Sequence, residues 1–308
     1  KLGERVADFA CGTGGFLTST LKVLEPQINT IEDRILYNNS IYGVEKKPLP
    51  YLLCITNMLL HDIDCPKIFH GNSLERNVRE YKDSDKFDIV LMNPPYGGTE
   101  SESVKINFPA DLRSSETADL FISVIMYRLK DNGRAAVIIP DGFLFGTDNA
   151  KVAIKKKLLE EFNLHTVIRM PSSVFSPYTS ITTNILFFDK SKKTDTVWFY
   201  RVDMPDGYKH FSKTKPMKVE HFDECVAWWY DRKEIKDSET DTFKAKCYTV
   251  QELESRGYDI DLCGYPTVEE EVLSPEETIK LFHEKRNALN AKIDKRLAEI
   301  EAFLGVRR

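Results

Sequence analysis

The 308-residue chain lacks long apolar runs. Leu120 to Met126 and Ala135 to Ile139 are among its most apolar stretches, and both fall far short of the ~20 residues that a membrane helix needs. No membrane partner is therefore expected. It also lacks an excess of positive charge. Its 43 Lys and Arg against 48 Asp and Glu leave a net charge of −5, the wrong sign for a domain that holds a nucleic-acid duplex unaided. The six cysteines include no Cys-x-x-Cys pair and no evident framework, so a disulfide scaffold is excluded and no metal site is suggested. They read as reduced thiols, and the expected compartment is the cytoplasm. What the length does allow is one large α/β core with an appendage.

Within that frame the most informative residues are Asn93-Pro94-Pro95-Tyr96. They follow Phe87-Asp88-Ile89-Val90-Leu91-Met92, an apolar run that reads as a buried parallel strand, so the tetrapeptide sits at a strand's carboxyl end. Two prolines fix φ and remove two backbone donors, which leaves a rigid loop whose carbonyls are free to accept. An amide oxygen, a fixed carbonyl and an aromatic face together suit a planar amine such as adenine. A proline-stiffened turn can also arise without function, and the loop alone does not decide between the two.

Upstream, Arg5 to Ala10 opens as a short strand and runs into Cys11-Gly12-Thr13-Gly14-Gly15, after which Leu17, Leu21 and Leu24 mark a helix. Glycines in such a loop let the backbone approach a ligand and accept positive φ, while the helix N-terminus offers free N–H groups. Neither standard phosphate signature fits. The dinucleotide fingerprint needs a glycine or alanine where Leu17 stands, and the Gly-Lys-Ser/Thr of a Walker loop is absent. Asp8, just ahead of the loop, instead suits a ligand bearing an ammonium or sulfonium, which points to S-adenosylmethionine. The next strand, Ser40 to Val44, ends at Glu45, placed where a carboxylate can take both hydroxyls of a ribose, although a lone Glu at a strand end is ordinarily just solvated. Asn72, in the turn after Ile68-Phe69-His70, can meet an adenine edge.

With these residues in view, the chain resembles the adenine-specific DNA methyltransferases, and most closely the modification subunits of type I restriction-modification systems. Asp8 to Gly15 is similar to that family's cofactor loop, Gly43-Val44-Glu45 to its ribose acid, and Asn93-Pro94-Pro95-Tyr96 to its catalytic loop. Ala118-Asp119-Leu120-Phe121 and Ile139-Pro140-Asp141-Gly142-Phe143-Leu144-Phe145 resemble its next two blocks. Met170 to Phe175, followed by Thr183 to Phe188, resembles the segment whose aromatic side chain stacks on a flipped base. The resemblance spans roughly residues 1 to 190 and resumes weakly toward the C-terminus. It departs at Asn72, where the family often has Asp. The family also carries a helical N-terminal domain and a cofactor-binding segment ahead of the glycine loop, whereas this chain starts at Lys1. The resemblance therefore implies a catalytic fragment with a cofactor pocket open on one side.

The expected fold is α/β, a doubly wound, mostly parallel sheet of the S-adenosylmethionine-dependent methyltransferase type with a long C-terminal helix. Residues 1–190 form the catalytic domain, closing with an antiparallel pair at His165 to Met170 and Asn184 to Phe188. Residues 191–273 are a polar and aromatic extension of unassigned role, with Trp198, Trp228, Trp229 and Tyr230 reading as a small core or else as a base-stacking platform. Residues 274–305 are the helix, begun by Ser274-Pro275-Glu276-Glu277. It repeats apolar residues at heptad spacing through Ile279, Phe282, Leu289, Ile293, Ile300 and Phe303. That pattern fits intermolecular pairing, or else packing on its own domain.

The resemblance implies methyl transfer from S-adenosylmethionine to the exocyclic N6 of a flipped adenine in double-stranded DNA. Catalysis falls to Asn93, Pro94, Pro95 and Tyr96, base stacking to Tyr96 and Phe175, and cofactor binding to Asp8, Gly12, Thr13, Gly14, Gly15, Glu45 and Asn72. The implied partners are DNA, a specificity subunit on the C-terminal helix and, where the system has one, a restriction nuclease subunit. The same tetrapeptide also serves enzymes that methylate RNA adenine or protein glutamine, and a non-catalytic assembly module is a further alternative.

Overall fold

The computed structural model describes residues 1–237, 242–265 and 274–304. It comprises two compact units, Lys1–Tyr265 and Pro266–Arg308. In chain order the first unit contains β1 (Val6–Asp8), α1 (Gly15–Leu24), α2 (Ile31–Asn38), β2 (Ile41–Glu45), α3 (Pro48–Leu59), β3 (Ile68–His70), β4 (Phe87–Met92) and α4 (Glu102–Lys105). It continues with α5 (Thr117–Arg128), β5 (Leu129–Pro140), α6 (Asp141–Phe145), α7 (Asn149–Glu161), β6 (Asn163–Arg169), β7 (Thr183–Asp189) and β8 (Thr196–Arg201). It closes with α8 (Asp223–Tyr230), β9 (Ile235–Lys236), β10 (Phe243–Thr249) and α9 (Val250–Ser255).

One sheet runs through all of it, in the order β3-β2-β1-β4-β5-β7-β6-β8-β10-β9. The strands from β3 to β5 are parallel, and β7 inserts antiparallel between β5 and β6. Both faces are covered. Leu17, Leu21, Cys54 and Met58 from α1 and α3 pack against Ile41 and Ile68 on one side. On the other, α5 and α7 bury Leu120, Val124, Ile154 and Leu158 against Val90, Val137 and Leu186. Each such side chain is worth about 1.5–3 kcal/mol when fully buried, so the apolar runs of β4 and β5 become central strands. The chain winds from β1 out to β3 and then crosses to β4 on β1's other side. That reversal opens a crevice at the carboxyl ends of β1 and β4, where such sheets bind ligands.

Two local findings differ from the sequence reading. Asn132-Gly133, which reads in the sequence as a turn ahead of a strand from Arg134 to Ile139, lies within β5 instead. β5 begins earlier, at Leu129, and residues 130–133 loop out of its pairing with β4, with Asn132 at φ 61°. Nor does residue 190 end the sheet. β8 pairs parallel with β6, matching Arg169 to Arg201, and β10 pairs with β8, so residues 191–265 extend the same sheet rather than form a separate appendage. Trp228 is buried with Ile168, Tyr200 and Cys225, while Tyr230 is exposed. Residues 266–273 of the expected extension lie outside the described residues.

Arg169 and Arg201, both buried, hold the returning segment that follows α9. Arg169 pairs with Asp261 and lies 3.5 Å from Asp141, while Arg201 donates to the Gly264 carbonyl at 2.8 Å and pairs with Asp203 and Asp237.

The second unit is described as one helix, α10 (Pro275–Leu304). It starts where Ser274 and Glu277 cap each other, with Glu277 Oε2 accepting from Ser274 N at 2.9 Å. Ile279, Phe282, Leu289, Ile293, Ile300 and Phe303 are all exposed on it. No helix among the described residues is long and apolar enough to cross a membrane.

Candidate active site

β1 delivers the chain into the glycine loop with Cys11 N donating to the Val44 carbonyl at 3.0 Å and Gly14 N to the Cys11 carbonyl at 2.7 Å. Gly14, at φ 87°, admits no side chain, because a Cβ there would sit 2.8 Å from Cys54 Sγ and 3.1 Å from Met58 Cε. Gly12 is different. At φ 55° it favours glycine, yet no protein atom lies within 4 Å of where its Cβ would be, so the loop's open side is left for a ligand.

Glu45, at the end of β2, faces this loop. One carboxylate oxygen accepts from Gly12 N at 2.9 Å and the other from Lys47 N at 2.7 Å. Each oxygen keeps a lone pair for a further donor, which is what a ribose diol supplies. Asn72 forms a turn of its own, with Oδ1 accepting from Leu74 N at 3.1 Å.

The third wall is the proline loop after β4. Asn93 and Pro95 line a cleft of about 300 Å³ together with Gly12, Glu45 and Asn72, so five residues singled out in the sequence converge there. Phe9, Ala10, Pro50, Ser73, Thr117 and Phe121 complete much of its lining. Phe121 was legible within the Ala118 to Phe121 block. Lys46 and Glu100 carried no signal, because they meet only through folding, with Lys46 Nζ 3.3 Å from Glu100 Oε1. The start of α5 is held in place by Asp119, which is buried, accepts from Ser114 Oγ at 2.6 Å and lies 3.1 Å from Lys151 Nζ.

Asp8, Thr13, Gly14, Gly15, Pro94, Tyr96 and Phe175 are not among the residues lining this cleft. Asp8 is buried, with Oδ1 accepting from Ala10 N at 3.0 Å. Burial, aided by the charge of Glu45 and opposed by that hydrogen bond, raises its carboxyl to about 7. Thr13 is exposed, and its carbonyl accepts from Asn57 Nδ2 at 2.8 Å.

The Tyr96 hydroxyl donates to Asn93 Oδ1, and burial pushes the Tyr96 phenol up. The Pro94 carbonyl accepts no hydrogen bond among the described residues. The Tyr96 and Phe175 rings lie 6.1 Å apart at an interplanar angle of 61°. That is an edge-to-face contact, and a planar base needs one of the two rings to turn before both can stack on it. The loop carrying Phe175 leaves β6 at Met170, whose N–H donates to the Thr183 carbonyl at 3.0 Å.

The cleft thus presents apolar faces for a heteroaromatic ring, a carboxylate for a diol, glycine backbone and the Asn93 amide, with the free Pro94 carbonyl next along the chain. A nucleoside cofactor fits these donors and acceptors. The family model for N-6 DNA methylases matches residues 1–272. The methylase subunit of the Escherichia coli type I restriction enzyme EcoEI is 47% identical over 264 residues, covering 85% of this chain and 53% of that protein. Among solved structures, the modification subunit of a putative type I restriction enzyme from Vibrio vulnificus superposes with a TM-score of 0.76 at 46% identity, over 82% of this chain and 52% of that one. The EcoKI M protein does so with a TM-score of 0.72 at 25% identity, over 95% of this chain and 69% of that one. The chain spans about half the length of the curated relatives it matches.

Proposed function

We propose, from the premise that this chain belongs to the N-6 DNA methylase family, that it transfers a methyl group to the exocyclic N6 of adenine in duplex DNA as part of a type I modification subunit. The observation that carries this reading is that Asn93 lines the same cleft as Gly12 and Glu45, which supports an amine acceptor beside a nucleoside pocket.

S-adenosylmethionine, when bound, supplies an electrophilic sulfonium methyl. Glu45 would hold its ribose, Gly12 to Gly15 and Asp8 its amino-acid end, and Asn72 its adenine. The adenine amine is a poor nucleophile because its lone pair is delocalised into the ring. Asn93 Oδ1 and the Pro94 carbonyl accept its two hydrogens, draw the nitrogen toward tetrahedral geometry and aim the lone pair outward. This is catalysis by positioning and electrostatics, with no covalent bond to the protein. Tyr96 and Phe175 stack on the flipped base and offset part of an unstacking cost of a few kcal/mol. A specificity subunit docks on α10 and supplies the sequence recognition, and a nuclease subunit joins where the system has one.

The identity of the product tests this. With methyl-labelled cofactor and duplex DNA, the label should be recovered as N6-methyladenine. Label on cytosine, or on a protein glutamine, would replace the reading.

A further inference from the structure

The chain as a whole is acidic, yet residues 205–218 carry four lysines, Lys209, Lys213, Lys215 and Lys218, against one acid, Asp206. All four lysines are exposed, and none makes an ion pair among the described residues. The acids near this loop in the chain, Asp203, Asp206, Glu220, Asp223 and Glu224, line one hollow together with Lys244, whose Nζ lies 2.9 Å from both Asp203 and Glu224.

The loop is also placed and anchored. β8 runs parallel to β6, so the chain leaves Arg201 at the same end of the strands as the catalytic crevice, with β5, β7 and β6 lying between β8 and β4. Phe211 is buried, packed against the rings of Tyr208 and His221 at 5.7 and 5.6 Å. Its N–H donates to Ser173 Oγ at 2.9 Å. Ser173 stands two residues before Phe175, whose ring meets Tyr96. Paired backbone bonds between Ser212 and Lys215, 3.0 and 3.1 Å long, close the tip that presents Lys213. Solvation alone would not require the loop to be bonded to the base-stacking segment.

We propose that residues 205–218 are a phosphate-contacting loop, over which the duplex backbone flanking the flipped base passes. The proposal rests on the DNA-methylating reading above and deepens it: the loop contributes sequence-independent affinity next to the catalytic pocket, in a chain whose overall charge opposes DNA. The contacts are charge-assisted and release counterions, so their signature is salt dependence.

The test measures binding of the full chain to a mixed-sequence duplex by fluorescence anisotropy over a range of salt concentrations. Each lysine on a phosphate adds about 0.9 to the slope of log affinity against log salt. Lys209→Gln, Lys213→Gln and Lys215→Gln together should lower that slope by about 2 to 3, and the corresponding Lys→Arg triple should keep it. Lys190→Gln, Lys192→Gln and Lys193→Gln form the control. They remove the same charge beyond the end of antiparallel β7, at the opposite end of the strands, and should change the slope by less than about 1. An unchanged slope in the loop triple, or an equal loss in both triples, overturns the proposal, and the lysines would then face an acidic protein or only solvent. Methyl transfer is scored separately. A chain that loses the slope as described but methylates no adenine keeps this loop assignment and loses the functional reading.

Discussion

The Tyr96 hydroxyl donates its hydrogen bond to Asn93 Oδ1, so the oxygen assigned to the target amine is already oriented from within its own loop. An amide oxygen has two lone pairs, and this contact need not block the second. A net hydrogen bond is worth about 0.5–1.5 kcal/mol, whereas a base stacked on an aromatic ring is worth about 1–3 kcal/mol. Tyr96→Phe should therefore change kcat/KM for methyl transfer by no more than about tenfold. Tyr96→Ala should lose about 10- to 100-fold through the missing stack. Equal losses for the two variants would make the hydroxyl, not the ring, the important part.

Glu45 accepts from Gly12 N and Lys47 N, tying the glycine loop to the end of β2. Glu45→Gln should raise the S-adenosylmethionine dissociation constant at least about tenfold, some 1.4 kcal/mol, by calorimetry. The turnover rate at saturating cofactor should stay near that of the unaltered chain. An unchanged affinity would place the ribose elsewhere.

Asp8 offers a dependence on pH. Its folded carboxyl is raised by burial to about 7, above the ~3.9 of an unfolded Asp. A raised carboxyl gives stability that is present below the unfolded value and is lost as pH rises through the folded one. The chain should thus unfold more easily in denaturant at pH 8 than at pH 5.5, and Asp8→Asn should flatten that part of the profile. A cationic ligand beside Asp8 favours its ionised form, so cofactor affinity should fall as pH drops below about 7 in the unaltered chain but not in Asp8→Asn.

Much of this site was legible because its parts are local. A strand followed by two prolines, or by glycines and a helix, announces itself within a dozen residues, and the position of Glu45 at the end of β2 follows from its order in the chain. What folding adds was not legible. The strand Thr196–Arg201 pairs not with β7, the strand just before it in the chain, but with β6, so residues 191–265 looked like an appendage when they extend the sheet. The cleft-mouth pair Lys46–Glu100, the burial of Asp8 and the edge-on meeting of Tyr96 and Phe175 depend on side-chain directions that spacing does not carry.

α10 carries six exposed apolar residues at heptad spacing. Burying such side chains contributes about 1.5–3 kcal/mol each, so the helix is suited to a partner. Deleting residues 275–308 should leave the first unit folded, with a single cooperative melt, and abolish co-purification with the specificity subunit. A truncated chain that still binds this partner would move the interface to the first unit, and one that fails to fold would make the helix part of the core.

The central claim is that Asn93 accepts a hydrogen from the adenine amine as charge develops on it, and its most direct measurement compares N6-methyladenine formation in duplex DNA by the assembled enzyme with and without Asn93→Ala. Cofactor affinity is measured on the same preparations. Removing one such acceptor should cost about 100-fold or more in rate, with cofactor affinity changed by less than about twofold, because the group acts in the transition state rather than in cofactor binding. A variant that keeps more than about a tenth of the rate would contradict the account.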